Sequence, residues 1–213
     1  MKILVACEFS GIVRDAFIGA GHDATSCDLL PSESPGPHYC GDVRDIIADG
    51  FDMVVAFPPC QHLASSGARW FPAKRRDGRQ ASAIDFFLSL ANAKIPRVAI
   101  ENPVGIMSSH YRKPDQIIQP WQFGEPYQKT TCLWLRNLPK LQSTAIVDSG
   151  EFYVAPSGRR YPSWINDTTI DGKKAAWTDP ELRRIRSRTF AGVADAMAKQ
   201  WTAPESFQPD LVA

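Results

Sequence analysis

Short apolar runs of strand length recur through the first half of the chain. They are Ile3 to Cys7, Ala24 to Cys27, Met53 to Ala56 and Val98 to Ile100. Segments with helical spacing lie between and after them: Ile12 to Ala20, closed by Gly21, and about Gln80 to Ala93, with Ile84, Phe87, Leu88 and Ala91 on one face. Thr131 to Leu135 reads as a further strand, and an apolar helix ends near Trp201. This alternation predicts an α/β fold with a mostly parallel, doubly wound sheet. Pro31 to Pro37 reads as a loop, and Asp42 can cap a short helix around Arg44 to Ala48. Leu63 to Arg79 is long, polar and basic, and we expect a mobile loop there.

With 213 residues, 44% of them hydrophobic, the chain can bury the core of one domain with a small appendage. The pattern divides it into 1–138, which holds the strand and helix alternation; 139–186, a short insertion rich in Gly, Pro, Trp and basic residues; and 187–213, a returning helix and a tail. No apolar run approaches the ~18 residues needed to cross a membrane, and the start lacks a cleavage pattern, so we expect a cytosolic protein. The five cysteines are odd in number and contain no Cys-x-x-Cys pair, which argues for free thiols and against a zinc site. A net charge of +1 selects no partner. Basic residues nevertheless cluster at Lys74 to Arg79, at Arg159 and Arg160, at Lys173 and Lys174, and at Arg183 to Arg188, where phosphates could be held.

The chemistry concentrates in two places. The run Asp52 to Phe57 ends in Pro58 and Pro59, which cannot continue a ladder, so Cys60 is delivered on a loop at the carboxyl end of a strand. In open α/β sheets ligands bind at that end. A lone cysteine is usually a small buried hydrophobe, but two rigid prolines before it and polar Gln61 and His62 after it direct it towards a cleft. The second place is Glu101-Asn102-Pro103, where a carboxylate ends an apolar strand. That is costly unless the group caps a helix or works in a cleft.

Pro58-Pro59-Cys60 together with Glu101-Asn102 resembles the cytosine carbon-5 DNA methyltransferases, in particular a small phage-type member such as those of restriction-modification systems. The resemblance implies a Rossmann-like methyltransferase fold, S-adenosylmethionine as cofactor and DNA as partner, with 1–138 as the catalytic and cofactor-binding domain and 139–186 as a small target-recognition segment. It makes Cys60 the nucleophile and Glu101 the partner acid, with Asn102 orienting Glu101. The amino-methyltransferases carry an aromatic after Pro-Pro, and Cys60 argues against them.

Other segments match the family in order. Glu8-Phe9-Ser10-Gly11 is similar to its first glycine turn, although Ile12 and Val13 stand where a second glycine is expected. Asp28, at the end of the second strand, would meet ribose hydroxyls. Gly41-Asp42-Val43 resembles the segment whose aspartate meets the adenine amino group. Pro58 and Gly192 complete the implied cofactor set. On the substrate side the candidates are Gln61, Ser65 and Arg69, then Lys129 and Thr131, then Arg159, Arg160 and Lys173. Lys129 and Thr131 lie where the family has Gln-x-Arg-x-Arg, with Thr130 and Cys132 in place of both arginines. Trp164, Tyr161 and Trp177 could stack on bases or form only a minor core. No metal is implied, and a monomer is expected.

The resemblance implies methyl transfer to carbon 5 of a flipped-out cytosine through a covalent Cys60 adduct. Two other readings stay open. The pocket could act on pyrimidine mononucleotides or transfer another group, which the short insertion favours. Alternatively the chain could be a catalytically silent DNA-binding module.

Overall fold

A computed structural model describes residues 1–148, 150–163, 169–170, 173–174, 179, 181, 184 and 187–204. In chain order the elements are β1 (Lys2–Ala6), α1 (Ile12–Gly19), β2 (Asp23–Asp28), β3 (His38–Cys40), β4 (Met53–Ala56), α2 (Phe71–Arg76), α3 (Arg79–Ala91), β5 (Arg97–Pro103), α4 (Met107–His110), β6 (Gln116–Ile118), β7 (Thr131–Arg136), β8 (Phe152–Val154), β9 (Arg160–Pro162), β10 (Thr169–Ile170), β11 (Lys173–Lys174) and α5 (Ala191–Trp201). β1 to β7 form one sheet in the order β3-β2-β1-β4-β5-β7-β6. The ladders from β3 to β5 are parallel, and only β7 runs against its neighbours β5 and β6. The fold is the expected α/β class, with a mostly parallel, doubly wound sheet of Rossmann-like type.

The strands read as continuous apolar runs because helices cover both faces of the sheet. Successive side chains point to opposite sides. Ile3, Val5, Met53 and Val55 therefore pack with Val13 and Phe17 of α1 and with Val193, Met197 and Trp201 of α5. Leu4, Ala6, Val54 and Ala56 pack on the other side with Phe87 and Leu90 of α3 and with Trp134. Trp201 is fully buried and its indole N–H donates to the Pro139 carbonyl at 2.9 Å, which fixes the end of α5 against the sheet.

The strand order reverses between β1 and β4, where connections leave to opposite sides. A crevice forms at the carboxyl ends of the strands at such a switch point. The loops after β1, β2, β4 and β5 all open there.

Two expectations change, and two short strands are new. Leu63 to Arg79 is not a structureless loop: Ser65–Trp70 is a 3-10 helix that runs into α2 and then α3. The buried Phe71 anchors this segment, and Pro72 at the start of α2 suits the first helical turn. The short helix after Asp42 is a single 3-10 turn, Val43–Asp45. β3 and β6, at three residues each, carry too little periodicity to stand out in the sequence.

Candidate active site

β4 and β5 bring the two chemical loops together. Ala56 pairs with Ile100, so Phe57 and Glu101 leave the ladder at the same height. The loops are then tied to each other. Asn102 Nδ2 donates to the Pro58 carbonyl at 2.8 Å, Ser65 N–H to the Val104 carbonyl at 2.9 Å and Ile106 N–H to the Leu63 carbonyl at 3.0 Å, and Ala64 and Gly105 form an isolated antiparallel bridge. A Cβ at Gly105 would stand 2.2 Å from the Leu63 carbonyl oxygen, so only glycine fits the crossing. Asn102 does not orient Glu101. Neighbouring residues on a strand face opposite ways, and this amide holds the proline loop instead.

Glu101 faces the α5 side, in a small cavity of about 20 Å³ with Phe57, Lys129, Thr131, Phe190 and Met197 among its walls. Burial pushes its carboxyl up, opposed by the Lys129 charge and a hydrogen bond with Thr131. Lys129 and Thr131 reach this place because β7 is antiparallel, with Thr131 opposite Pro103 at the edge where β5 ends. Thr131 Oγ1 also donates to the Lys129 carbonyl at 3.1 Å.

Cys60 is half-buried. Burial and the Glu101 charge raise its thiol pKa, while Lys129 and Lys74 act in the opposite sense. Glu101 and Lys129 thus both bear on Cys60, and Thr131 joins Lys129 around Glu101.

A larger cavity of about 280 Å³ lies beside the first turn, walled by Cys7, Asp28, Leu29, Asp42, Val43 and Pro59, with Phe86 among the other residues. Pro59 borders this cavity and Phe57 the Glu101 cavity, so the Cys60 loop runs between the two. Burial, with Asp28 adding to it, pushes the Cys7 thiol up to about 12, and burial does the same to Cys27. Both are neutral thiols. Cys7 adopts a left-handed conformation with φ 59, a strain that non-glycine residues rarely carry and that gathers at functional turns.

Glu8 is 5% exposed; its Oε1 accepts from the Ser10 hydroxyl, and its Oε2 has no partner. Burial raises its pKa, with Ser10 and the Gly11 and Ile12 amides opposing. Gly11 has φ 81 and starts α1; a Cβ there would meet the Arg14 guanidinium at 2.6 Å. Phe9 is half-buried, and its carbonyl accepts from Glu33 N–H at 2.8 Å. The Glu33 carboxylate in turn pairs with Arg184 at 2.5 Å and Arg188 at 2.8 Å. Those two arginines of the basic run are therefore engaged by the protein, while Arg183 and Arg186 lie outside the described residues.

Asp28 caps its own turn, accepting from Leu30 N–H at 2.9 Å. Asp42 does cap: it accepts from Arg44 N–H at 2.9 Å and pairs with the Arg44 side chain, which holds its carboxyl down at about 2. It lines the cavity as well. Pro58 is buried behind the loop, leaving the wall to Pro59. Gly192 lies away from this cavity. Its N–H donates to Glu125 Oε1 at 3.2 Å and its Cα side packs on the Phe123 carbonyl, 1.9 Å from where a Cβ would be. This glycine serves the close seating of α5.

Gln61, Ser65 and Arg69 are exposed next to the Cys60 loop. Arg159 and Arg160 belong to the β8–β9 hairpin, where Arg160 lies 4.8 Å over the Phe152 ring and Tyr153 stacks with Tyr161 at 5.6 Å. The Lys173 side chain, Trp164 and Trp177 lie outside the described residues.

Sequence reasoning missed Arg14. Fully buried, it donates to Ser26 Oγ at 3.2 Å, Ser32 Oγ at 3.1 Å, the Ser34 carbonyl at 3.1 Å and the Pro35 carbonyl at 3.0 Å, which shapes the loop after β2. The available signal was a basic residue on the apolar stripe between Val13 and Phe17. Phe86, Phe190 and Met197 were also missed, because helical spacing reports burial and not which burial borders a cavity.

Among solved structures the chain is similar to a proposed DNA modification methyltransferase encoded within an Escherichia coli prophage, at 14% identity and TM-score 0.45, over 69% of this chain and 52% of that one. It is similar to the Entamoeba histolytica methyltransferase EhMeth at 16% identity and TM-score 0.44, over 69% and 58%. A third is a Spodoptera frugiperda DNMT2 mutant at 18% identity and TM-score 0.42, over 68% and 54%. The chain spans just over half the length of these proteins. No family model and no curated protein matches the sequence. No helix among the described residues is long and apolar enough to cross a membrane.

Proposed function

We propose that the chain is an S-adenosylmethionine-dependent DNA cytosine carbon-5 methyltransferase, with residues 139–186 serving target recognition. The observation that carries this reading is that Cys60, on the loop after β4, is acted on by Glu101 of β5 and by Lys129 just before β7, with Asn102 tying the proline loop to β5. Cytosine carbon 5 becomes nucleophilic once a thiolate adds to carbon 6. Protonated Glu101 favours that addition by donating to ring nitrogen 3, and burial, which raises its pKa, favours the protonated form that this role needs. The same proton helps Cys60, because a neutral Glu101 no longer opposes ionisation of the thiol, while Lys129 and Lys74 favour the thiolate. After carbon 5 has taken the methyl group, solvent water acting as base removes its proton, the carbon 6–sulfur bond breaks and Cys60 leaves as the thiolate. The target base must first be flipped out of the stack.

The residues present fit the cofactor. The 280 Å³ cavity joins the apolar Leu29, Val43, Pro59 and Phe86 to the polar Asp28, Asp42 and Arg44, which suits a nucleoside, and the orphaned buried Glu8 Oε2 at the neighbouring turn suits an ammonium group. Asp28, Asp42 and Val43 would hold the adenosine, and Glu8 with the Phe9-Ser10-Gly11 turn the amino-acid end. When bound there, the cofactor supplies an electrophilic methyl group.

The test is transfer of label from methyl-labelled S-adenosylmethionine to unmodified duplex DNA, beside Cys60→Ser, with base-resolution mapping of the product. Label at cytosine carbon 5 that is absent in the variant is the expected result. Cofactor binding without label on any DNA would overturn the reading, and label on pyrimidine mononucleotides would replace the substrate.

A further inference from the structure

From Met53 to Arg76 the chain contains four basic residues, Arg69, Lys74, Arg75 and Arg76, and no Asp or Glu. The 3-10 helix Ser65–Trp70 and α2 place them on one short strap. The strap is not loose. Phe71 is buried beneath it, Lys74 Nζ donates to the Gln61 carbonyl next to Cys60, and Ser65 and Ala64 are held by Val104 and Gly105. Rigid attachment makes the exposure of its neighbour informative: Trp70 is 56% exposed while Phe71 is 9% exposed. Only one of these two aromatics serves the core. Arg69 lies 5.0 Å over the Trp70 ring, joining a cation to the exposed aromatic face. Among the described residues no carboxylate pairs with Arg75 or Arg76, whereas Arg79 is taken by Asp77 at 2.6 Å.

An acid-free basic strap that presents an unburied indole matches the chemistry of unpaired nucleic acid. Phosphates meet the guanidinium groups, and an unstacked base meets the aromatic face. Bases inside a duplex are already stacked on both sides and offer no such face. We propose that the strap is a docking surface for single-stranded DNA beside the target base, with Trp70 stacking on a flanking base and Arg75 and Arg76 on phosphates. This rests on the reading of the Cys60 site as DNA-modifying, and it adds a preference for unpaired over duplex strands. The short insertion is consistent with a protein that takes its substrate through backbone and stacking contacts.

The test is binding by the full chain carrying Cys60→Ser, which keeps the strap and stops turnover. Fluorescence anisotropy would follow a labelled cytosine-containing single strand and its duplex, with Trp70→Ala, Trp70→Phe and Arg75→Ala/Arg76→Ala added in turn. The single strand should bind more tightly than the duplex. Trp70→Ala should weaken it about tenfold at an unchanged melting temperature, while Trp70→Phe retains most of the affinity. The double arginine variant should lower the slope of log affinity against log salt by about 1.4. Affinity unaffected by Trp70→Ala, tighter binding of the duplex, or no binding of either strand would overturn the proposal. Methyl label on DNA with Trp70-independent binding would sink the strap alone. Trp70-dependent binding without any label would sink the transferase reading and leave the strap standing.

Discussion

A carboxyl group at the end of β5, walled by Phe57, Phe190 and Met197, favours its protonated form, and this sets a pH dependence for Glu101. Because its native pKa lies above the ordinary 4.5, the folded chain binds more protons than the unfolded chain between those two values. Stability then falls as pH rises through that window and levels off above it. Glu101→Gln cannot ionise, so the variant should match the wild type below pH 4.5 and exceed it in urea denaturation at pH 8. The same substitution should lower methyl transfer by about 10²-fold or more, since the proton donated to the ring is gone. Gain of stability with loss of activity is the signature of a group kept for chemistry. The unusual placement of Glu101 was legible in the sequence, because a carboxylate that ends an apolar strand needs a reason. The role of Asn102 was not: strand alternation turns its side chain to the other face, and the Pro58 carbonyl that it holds lies 44 residues away in sequence.

At the scale of elements, the contact between the loops after β4 and β5 is closer than either sequence suggests. Gly105→Ala would place a methyl 2.2 Å from the Leu63 carbonyl, and backbone on both sides leaves little room to yield. The expected cost is about 1–3 kcal/mol in chemical denaturation, on the scale of overpacking, with a slower methyl transfer because the Cys60 loop shifts relative to Glu101. Full activity in Gly105→Ala would show that the crossing does not position the thiol. The strands and helices that form the core were readable from their periodicity, and α1 and α3 begin within a residue of where the pattern places them. Ladder register was not readable. Lys129 and Thr131 meet Glu101 because β7 is antiparallel, and local pattern carries no direction of pairing. The helices of 65–76 were hidden for another reason: their core contribution comes from few side chains, chiefly Phe71, among polar neighbours.

The whole molecule separates a nucleoside-sized cavity at the switch between β1 and β4 from the Glu101 cavity beneath α5, with the Cys60 loop as the common wall. That separation makes cofactor binding and reaction independently breakable. A ligand that binds only the folded chain stabilises it by about 2.7 kcal/mol at a hundredfold excess over its dissociation constant. For a chain of this size that corresponds to about 5–10 °C in melting temperature. S-adenosylmethionine should therefore raise the melting temperature of the wild type and of Cys60→Ser alike, since Cys60 does not wall the nucleoside cavity. Asp28→Ala should remove most of the shift, as the Asp28 carboxylate lines the cavity with a single bond from Leu30 N–H, while Asp42 is paired with the Arg44 side chain. A full shift in Asp28→Ala would move the cofactor out of this cavity. A shift lost in Cys60→Ser would mean that Cys60 itself helps to hold the cofactor.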